Sequence, residues 1–440
     1  MKQKFITLAA LAILCGAALF SCSSDDEVTE KKNVMKAGQS YFLSVKASKG
    51  DDLAKTRALS FDGSTLNATW AVGEKVYPSD YDSNVRFNGY IAAQSNGVET
   101  YLNGNISPST DLYLPVDLYF IFPRKDWNYT GQVGTLADIA QKYDYATAVV
   151  KINEQDESSV SSSFSAEFVN QQAIVRFTLK ENDNLINAST LRIFASGLAS
   201  SVNVTSKDCP PSDNYGSVTI TPSSPTSEIW AALRGIENAP LVRLIANVNG
   251  TTYIYNKTGS TTFSHNTPYF IPVKMKALTE GIALASVTSD YIGCVVGANG
   301  NVYSTKAKAI AAGTTAVAMI AYVSGTGNGL AVALEDESGE MVYSAASTAA
   351  SGKGTGWRLP SITDWQNMFS GCGDVAGNDS KANCAVFNAM LKSAGGSAMS
   401  NRNYWSTSYW YGDFSESDVY FYYENDPEIT TYYVRAVLDF

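Results

Sequence analysis

Between residues 58 and 280 no helical periodicity longer than about three turns can be read, and this restricts the fold more than any other feature. Short alternating apolar runs recur there instead, separated by Gly, Asn, Asp, Ser and Pro. Lys75-Val76-Tyr77, Val85-Arg86-Phe87, Asp111 to Phe122 and Phe164 to Phe168 form a first group. Gln172 to Lys180, with Val175, Phe177 and Leu179 on one face, opens a second. It continues through Leu191–Phe194, Ser217–Ile220, Leu241–Val248 and Thr252–Tyr255, and closes at Tyr269–Met275. Leu136 to Tyr143 is the one weak helix candidate. With 26 tyrosines and only 17% charged residues, the chain reads as mainly β, and the strand spacing suggests β-sandwich domains.

The pattern changes after Gly281. Asp290 to Tyr303 reads as strand–turn–strand around Ala298-Asn299-Gly300-Asn301. Ser361-Ile362-Thr363-Asp364 has the form of a capping box, opening a helix with Ile362, Trp365, Met368 and Phe369 on one face. A second helix is expected after Ser380, carrying Val386, Phe387, Met390 and Leu391, with Gly395-Gly396 ending it. Tyr404 to Phe440 is strand-rich and aromatic. These shifts place a boundary near residue 280.

At the other end, Lys2 and Lys4 precede an apolar run from Ile6 to Phe20, and small Ser21 sits where a signal peptidase would cut. Cys22 follows directly, and Leu19-Phe20-Ser21-Cys22 resembles the lipobox of bacterial lipoproteins. That resemblance implies acylation of Cys22 and an extracytoplasmic protein tethered to a membrane. Loss of two lysines with residues 1–21 takes the net charge from -10 to -12. So acidic a chain is a poor partner for nucleic acid or anionic lipid, which leaves the acyl group as the membrane link. Residues 23–39 read as a flexible tether. Within them, Asp25-Asp26-Glu27 resembles the acidic signal that sends lipoproteins to the outer face of the outer membrane. Tyr41, Leu43, Val45 and Ala47 then alternate as a strand does.

One histidine, His265, excludes a multi-histidine metal cluster, and it is expected at a turn before Pro268. Once Cys15 leaves with the signal and Cys22 is acylated, Cys209, Cys294, Cys372 and Cys384 remain. Three full pairings are open. Cys372 with Cys384 is the bridge that sequence proximity favours, and four buried free thiols are the alternative. Residues 413–428 hold Asp413, Glu416, Asp418, Glu424, Asp426 and Glu428 without a Lys or Arg. Such oxygens suit Ca²⁺, and a solvated acidic loop is the competing reading. No other cofactor, metal or catalytic constellation is expected.

Four stretches in residues 58–277 together resemble the fimbrillin family, the subunits of type V pili. They are Ala68-Thr69-Trp70-Ala71-Val72-Gly73-Glu74-Lys75-Val76, Tyr129-Thr130-Gly131-Gln132 through Asp144-Tyr145, the Gln172–Lys180 strand, and Tyr269-Phe270-Ile271-Pro272-Val273. The resemblance implies two tandem transthyretin-like β-sandwiches, export as a lipoprotein, and assembly by strand donation. Arg57-Ala58 matches the position where an arginine-directed protease removes the first strand, here Tyr41–Ala47, so that a neighbouring subunit's strand fills the groove.

Residues 284–440 resemble the C-type-lectin-like domain, an α+β fold. The resemblance is carried by Gly293-Cys294-Val295-Val296-Gly297, Ala316 to Tyr322, Gly329 to Leu334, Gly356-Trp357-Arg358-Leu359-Pro360-Ser361, Tyr404-Trp405-Ser406-Thr407-Ser408 and Val434-Arg435-Ala436-Val437-Leu438. The Glu-Pro-Asn-type and Trp-Asn-Asp triplets of calcium-dependent lectins are not found in it. Trp357, Leu359 and Trp405 read as core. Tyr409, Trp410, Tyr411, Asp413, Asp426 and Glu428 form the expected recognition surface, on a loop after the Trp405 strand.

The resulting domain plan is a signal peptide (1–21), a tether with a removable strand (22–57), two β-sandwiches (58–168 and 169–280) and the C-terminal domain (284–440). The expected function is that of a surface lipoprotein pilin at a tip or accessory position of a fimbrium, binding a host or bacterial surface glycan or protein. A lipid-anchored glycan-binding lipoprotein outside any pilus is the alternative. An enzyme is the least favoured class.

Overall fold

The computed structural model describes residues 34–49, 60–61, 66–67, 69–80, 86–123, 125–143, 145–203, 212–375, 377, 381–399, 401–414 and 418–440. Cys22, Arg57, Ala58 and Cys209 lie outside them. The fold is mainly β, with strands sorted into three groups along the chain. Among the described residues no helix is long and apolar enough to cross a membrane.

The first group contains β1 (Tyr41–Ser48), β2 (Lys75–Asp80), β3 (Ile91–Ala93), β4 (Glu99–Pro108), β5 (Val116–Phe122), β6 (Ala146–Ile152), β7 (Ser159–Ser161) and β8 (Ala166–Glu167). The main spatial order is β7-β1-β4-β3-β2-β5-β6, with β8 also on β1. β1, the first strand of this sheet in chain order, therefore sits inside it. Alternation along each strand points Leu102, Ile106, Phe120, Phe122, Val150 and Ile152 into one core.

The second group packs two sheets face to face. One joins Ala173–Glu181 to Glu228–Leu233 and, in parallel, to Pro268–Lys274. The other runs through Ser212–Ile220, Thr190–Asn203, Ala239–Val248 and Thr251–Thr261. Val175, Phe177 and Leu179 are buried between them, as the alternation predicts. His265 is exposed in the turn before Pro268.

One excursion crosses between these groups. The segment leaving β5 pairs Trp127 with Val202 of the second group, then forms α1 (Leu136–Lys142) before returning as β6. Buried Gln132 behaves as a short strand, its amide donating to Ala232 O (3.0 Å) and accepting from Ala232 N (2.7 Å). Tyr129, Ile139 and Tyr145 belong to the second core. Residues 127–145 thus pack outside the body to which a simple linear division assigns them.

The third group adds the sheet of Val295–Gly297, Asn301–Tyr303, Ala316–Gly325, Asn328–Ala333 and Val437–Asp439, and a smaller sheet of Lys381–Asn383, Asp418–Tyr423, Trp410–Phe414 and Arg402–Trp405. Four helices accompany them: α2 (Lys306–Ala311), α3 (Tyr343–Ser351), α4 (Ile362–Cys372) and α5 (Ala385–Ser393). The Ser361–Asp364 capping box forms, and Trp365, Met368 and Phe369 are buried. Helix α5 begins later than its sequence pattern suggests, because Lys381–Asn383 is spent on a strand against Asp418–Tyr423. Gly395 takes the left-handed conformation after α5, at φ 86°. Leu359 and Trp405 are core and Trp357 is half-buried.

The Cys372–Cys384 bridge does not form. Both are buried free thiols, as is Cys294. Each has its own neighbour: Cys372 Sγ donates to Ala321 O at 3.7 Å, and Cys384 Sγ accepts from Asn388 Nδ2 at 3.6 Å. Burial pushes the Cys294 thiol up to about 12, and it raises Cys372 and Cys384 as well, so all three stay protonated at neutral pH.

Candidate functional site

Strand β1 carries the alternation Tyr41-Phe42-Leu43-Ser44-Val45-Lys46-Ala47 into space without a slip. Tyr41, Leu43, Val45 and Ala47 are fully buried, while Phe42 and Lys46 are exposed. On one side β1 is antiparallel to β4 over its whole length, from Tyr41↔Ile106 to Ser48↔Glu99. On the other it is parallel to β7 and then β8. Two features hold this register. Gly104, opposite Leu43, lies so close to β3 that a Cβ there would fall 2.2 Å from Tyr90 O. A one-residue slip would also turn the apolar stripe toward solvent.

The stripe ends on a charge. Lys49 keeps the period-two phase and is also buried, with Nζ 3.2 Å from Glu74 Oε2 and 3.1 Å from Thr69 O. The ammonium lies 4.1 Å from the centre of the Trp70 ring. Trp70 in turn packs edge-on against Phe122 and Phe168. Lys49 is not among the residues the sequence singles out. The available signal was its phase with Tyr41, Leu43, Val45 and Ala47. Outward-facing contacts are weaker in kind: Lys46 meets Glu99 at 3.0 Å with both side chains exposed.

The contacts that hold β1 are backbone pairing and alternating apolar burial. Each backbone hydrogen bond contributes a net ~0.5–1.5 kcal/mol, and burying Leu43 or Val45 contributes about 1.5–3 kcal/mol each. Any chain with apolar side chains at alternate positions could make the same contacts. The next described residue after Lys49 is Ser60, and Arg57-Ala58 falls between them in sequence, outside the described residues.

The predicted recognition residues are brought to one end of the third group, though not on one loop. Trp410 and Tyr411 belong to a strand paired with Arg402–Trp405 and Asp418–Tyr423. Alternation sends their rings to opposite faces. Trp410 packs on the main core, whereas Tyr411 lies against Tyr432 (4.4 Å) and Tyr422 (5.6 Å) with the rings tilted. Tyr409 sits in the hairpin turn at φ 66°, is 41% exposed, and meets Tyr343 edge-on at 4.6 Å. Tyr343, Tyr422 and Tyr432, absent from the sequence reading, complete this aromatic surface. They come from distant stretches, so no local pattern marks them.

The acids scatter. Asp413 and Asp426 are exposed, Asp418 faces Lys381 at 3.5 Å, and Glu428 accepts from Ser344 Oγ at 2.5 Å. The Asp426 amide and the Tyr432 hydroxyl hold the Glu424 carboxyl below its ordinary range. Glu416 lies outside the described residues. Among the described residues no group of three or more His, Cys, Asp or Glu converges to hold a metal ion.

No protein-family model matches this chain, and no curated protein matches it. Solved structures show partial likeness at low identity. The tip fimbrial protein Mfa3 from Porphyromonas gingivalis, with C-terminal truncation, is 10% identical over 54% of this chain and 98% of its own, with a TM-score of 0.31. A fimbrial assembly protein from Parabacteroides distasonis is 12% identical over 53% of this chain and 90% of its own, with a TM-score of 0.31. A fimbrial protein from Bacteroides ovatus is 11% identical over 91% of this chain and 99% of its own, with a TM-score of 0.25.

Proposed function

We propose that this protein is a surface lipoprotein pilin that exchanges its first strand for a neighbour's and uses its C-terminal domain for adhesion. The observation that carries this reading is β1, an N-terminal strand inserted between β4 and β7/β8 with four buried side chains in alternation. Cutting at Arg57-Ala58 frees β1 from the chain without touching another strand of its sheet. The vacated groove then exposes apolar side chains and unpaired backbone groups along β4 and β7, which an incoming strand satisfies by β-augmentation. The lipid on Cys22 leaves with β1, so it serves delivery rather than final attachment.

The C-terminal group is read as the C-type-lectin-like domain. Its segment Val437–Asp439 is bound within a sheet between Asn328–Ala333 and Trp357–Arg358, and is therefore committed to its own body. The position proposed for the subunit is a tip or accessory one. The Tyr343, Tyr409, Tyr411 and Tyr422 surface is the adhesive face, suited to sugar rings or a protein partner. No catalytic role is proposed.

The test is cleavage of the full chain by an arginine-specific protease, followed by N-terminal sequencing and addition of an isotope-labelled peptide spanning residues 39–49. The expected result is a fragment starting at Ala58 that takes up the peptide in place of native β1. A chain that resists cleavage, or a cleaved chain that never exchanges β1, overturns the strand-exchange reading. An intact lipid-linked N-terminus on cell-extracted protein favours the alternative, a lipid-anchored glycan-binding lipoprotein.

A further inference from the structure

We infer that the cleft between the second strand group and α5 binds an acidic sugar, a pyranose bearing a carboxylate. The cleft has a volume of about 580 Å³, within the range of small-molecule sites. Strands Thr190–Asn203 and Ser212–Ile220 form one wall, and a face of α5 running from Ala385 to Ser393 forms the other. Two cations line it, Arg192 and Lys392, and no carboxylate does among the described residues. On a chain of net charge -10 this local excess of positive charge is unusual.

Arg192 is the informative residue. Its Nε donates to Thr219 Oγ1 at 3.2 Å and one terminal nitrogen donates to Ser393 Oγ. These neutral hydroxyls fix the guanidinium plane without neutralising it, and burial alone lowers its pKa from the ordinary value. Among the described residues no carboxylate lines the cleft beside this half-buried cation, and such a charge is costly unless an anion arrives. A planar guanidinium matches a carboxylate with two parallel hydrogen bonds, and Lys392 adds a second charge at the rim.

The rest of the lining favours a sugar over a bare anion. Tyr215, 50% exposed at the edge of the cleft, presents an aromatic ring on which a pyranose face can stack. Asn214, Thr219 and Ser393 supply donors and acceptors for ring hydroxyls. Because two bodies of the chain form the walls, neither carries the site alone. The inference does not depend on strand exchange.

The test is isothermal titration of the full chain with N-acetylneuraminic acid and glucuronic acid, against glucose and inorganic phosphate. The acidic sugars are expected to bind at least about tenfold more tightly than glucose or phosphate, as one charge-assisted contact implies. Lys392→Gln and Tyr215→Ala, both at exposed positions, should each weaken the acidic sugars about tenfold. Lys46→Gln, remote from the cleft, should leave binding unchanged. Arg192→Lys should lose most of the affinity while keeping the charge. Equal binding of glucose, phosphate binding as tight as that of the sugars, or no saturation by either acidic sugar overturns the inference.

Discussion

Two strands near opposite ends of the described chain lie inside sheets, and they are held differently. Strand β1 is fixed by a long register against β4 and by a stripe of apolar side chains. The segment Val437–Asp439 is only three residues long and is fixed by arginines around it. Arg435, fully buried, donates to Asp336 Oδ1 (2.6 Å), Ala333 O (3.0 Å) and Leu334 O (2.7 Å). Arg358 bridges Asp364 and Asp439, both at 2.6 Å. Backbone pairing and apolar burial can be reproduced by another strand, whereas a buried arginine with several specific acceptors cannot. Most of what holds β1 is generic, and what holds the later strand is particular to this chain.

The comparison can be broken at its strongest point first. Arg435→Ala leaves Asp336 and two buried carbonyls short of a partner and should destabilise the C-terminal body by about 4 kcal/mol, read as a lower urea midpoint. Leu43→Ala should cost about 3 kcal/mol through the cavity it leaves. Hydrogen exchange should localise that loss to β1, β4 and β7, and spread over the whole molecule would contradict a separable strand. Lys49→Met should cost a further, smaller amount, about 2–3 kcal/mol, by removing one partner of buried Glu74. The double change Lys49→Met with Glu74→Leu should recover most of it in the same melt.

A pH titration sharpens the picture of the C-terminal body. Asp374 is fully buried and accepts from the amides of Val386 (2.9 Å) and Phe387 (2.8 Å) at the start of α5. Burial outweighs these bonds and pushes its carboxyl up to about 7 from 3.8. Below about pH 4 the group is protonated in both states. Between about 4 and 7 the folded state keeps a proton that the unfolded state has released, so this group's contribution to stability falls as pH rises. Asp374→Asn should flatten that slope relative to the parent chain, measured by urea melts from pH 4 to 8. Smallest of all, Glu99→Gln on β4, where it meets Lys46 of β1 on the exposed face, should change stability by no more than about 0.5 kcal/mol.

Much of this was legible along the chain where the signal is local. The β1 alternation, the Ser361–Asp364 cap and Gly395 after α5 each depend on residues a few positions apart. The Trp127–Tyr145 excursion was not, since Trp127 meets Val202 and Gln132 meets Ala232, and pairing at that separation leaves no periodic trace. The aromatic residues after Trp405 were legible as a cluster and misread as a loop, because Tyr409 supplies the turn while Trp410 and Tyr411 pair as a strand. Cys372 and Cys384 looked bridgeable by proximity alone, yet each thiol meets a different neighbour.

The docking of residues 127–145 on the second group has a mechanical consequence. A load pulled through the first two bodies meets more than the single crossing near residue 170. It must also shear Trp127 from Val202 and peel the Gln132 amide from Ala232, two attachments acting in parallel with the covalent chain. Tension is then shared rather than focused on one hinge, and the pair should stretch as a single stiff beam.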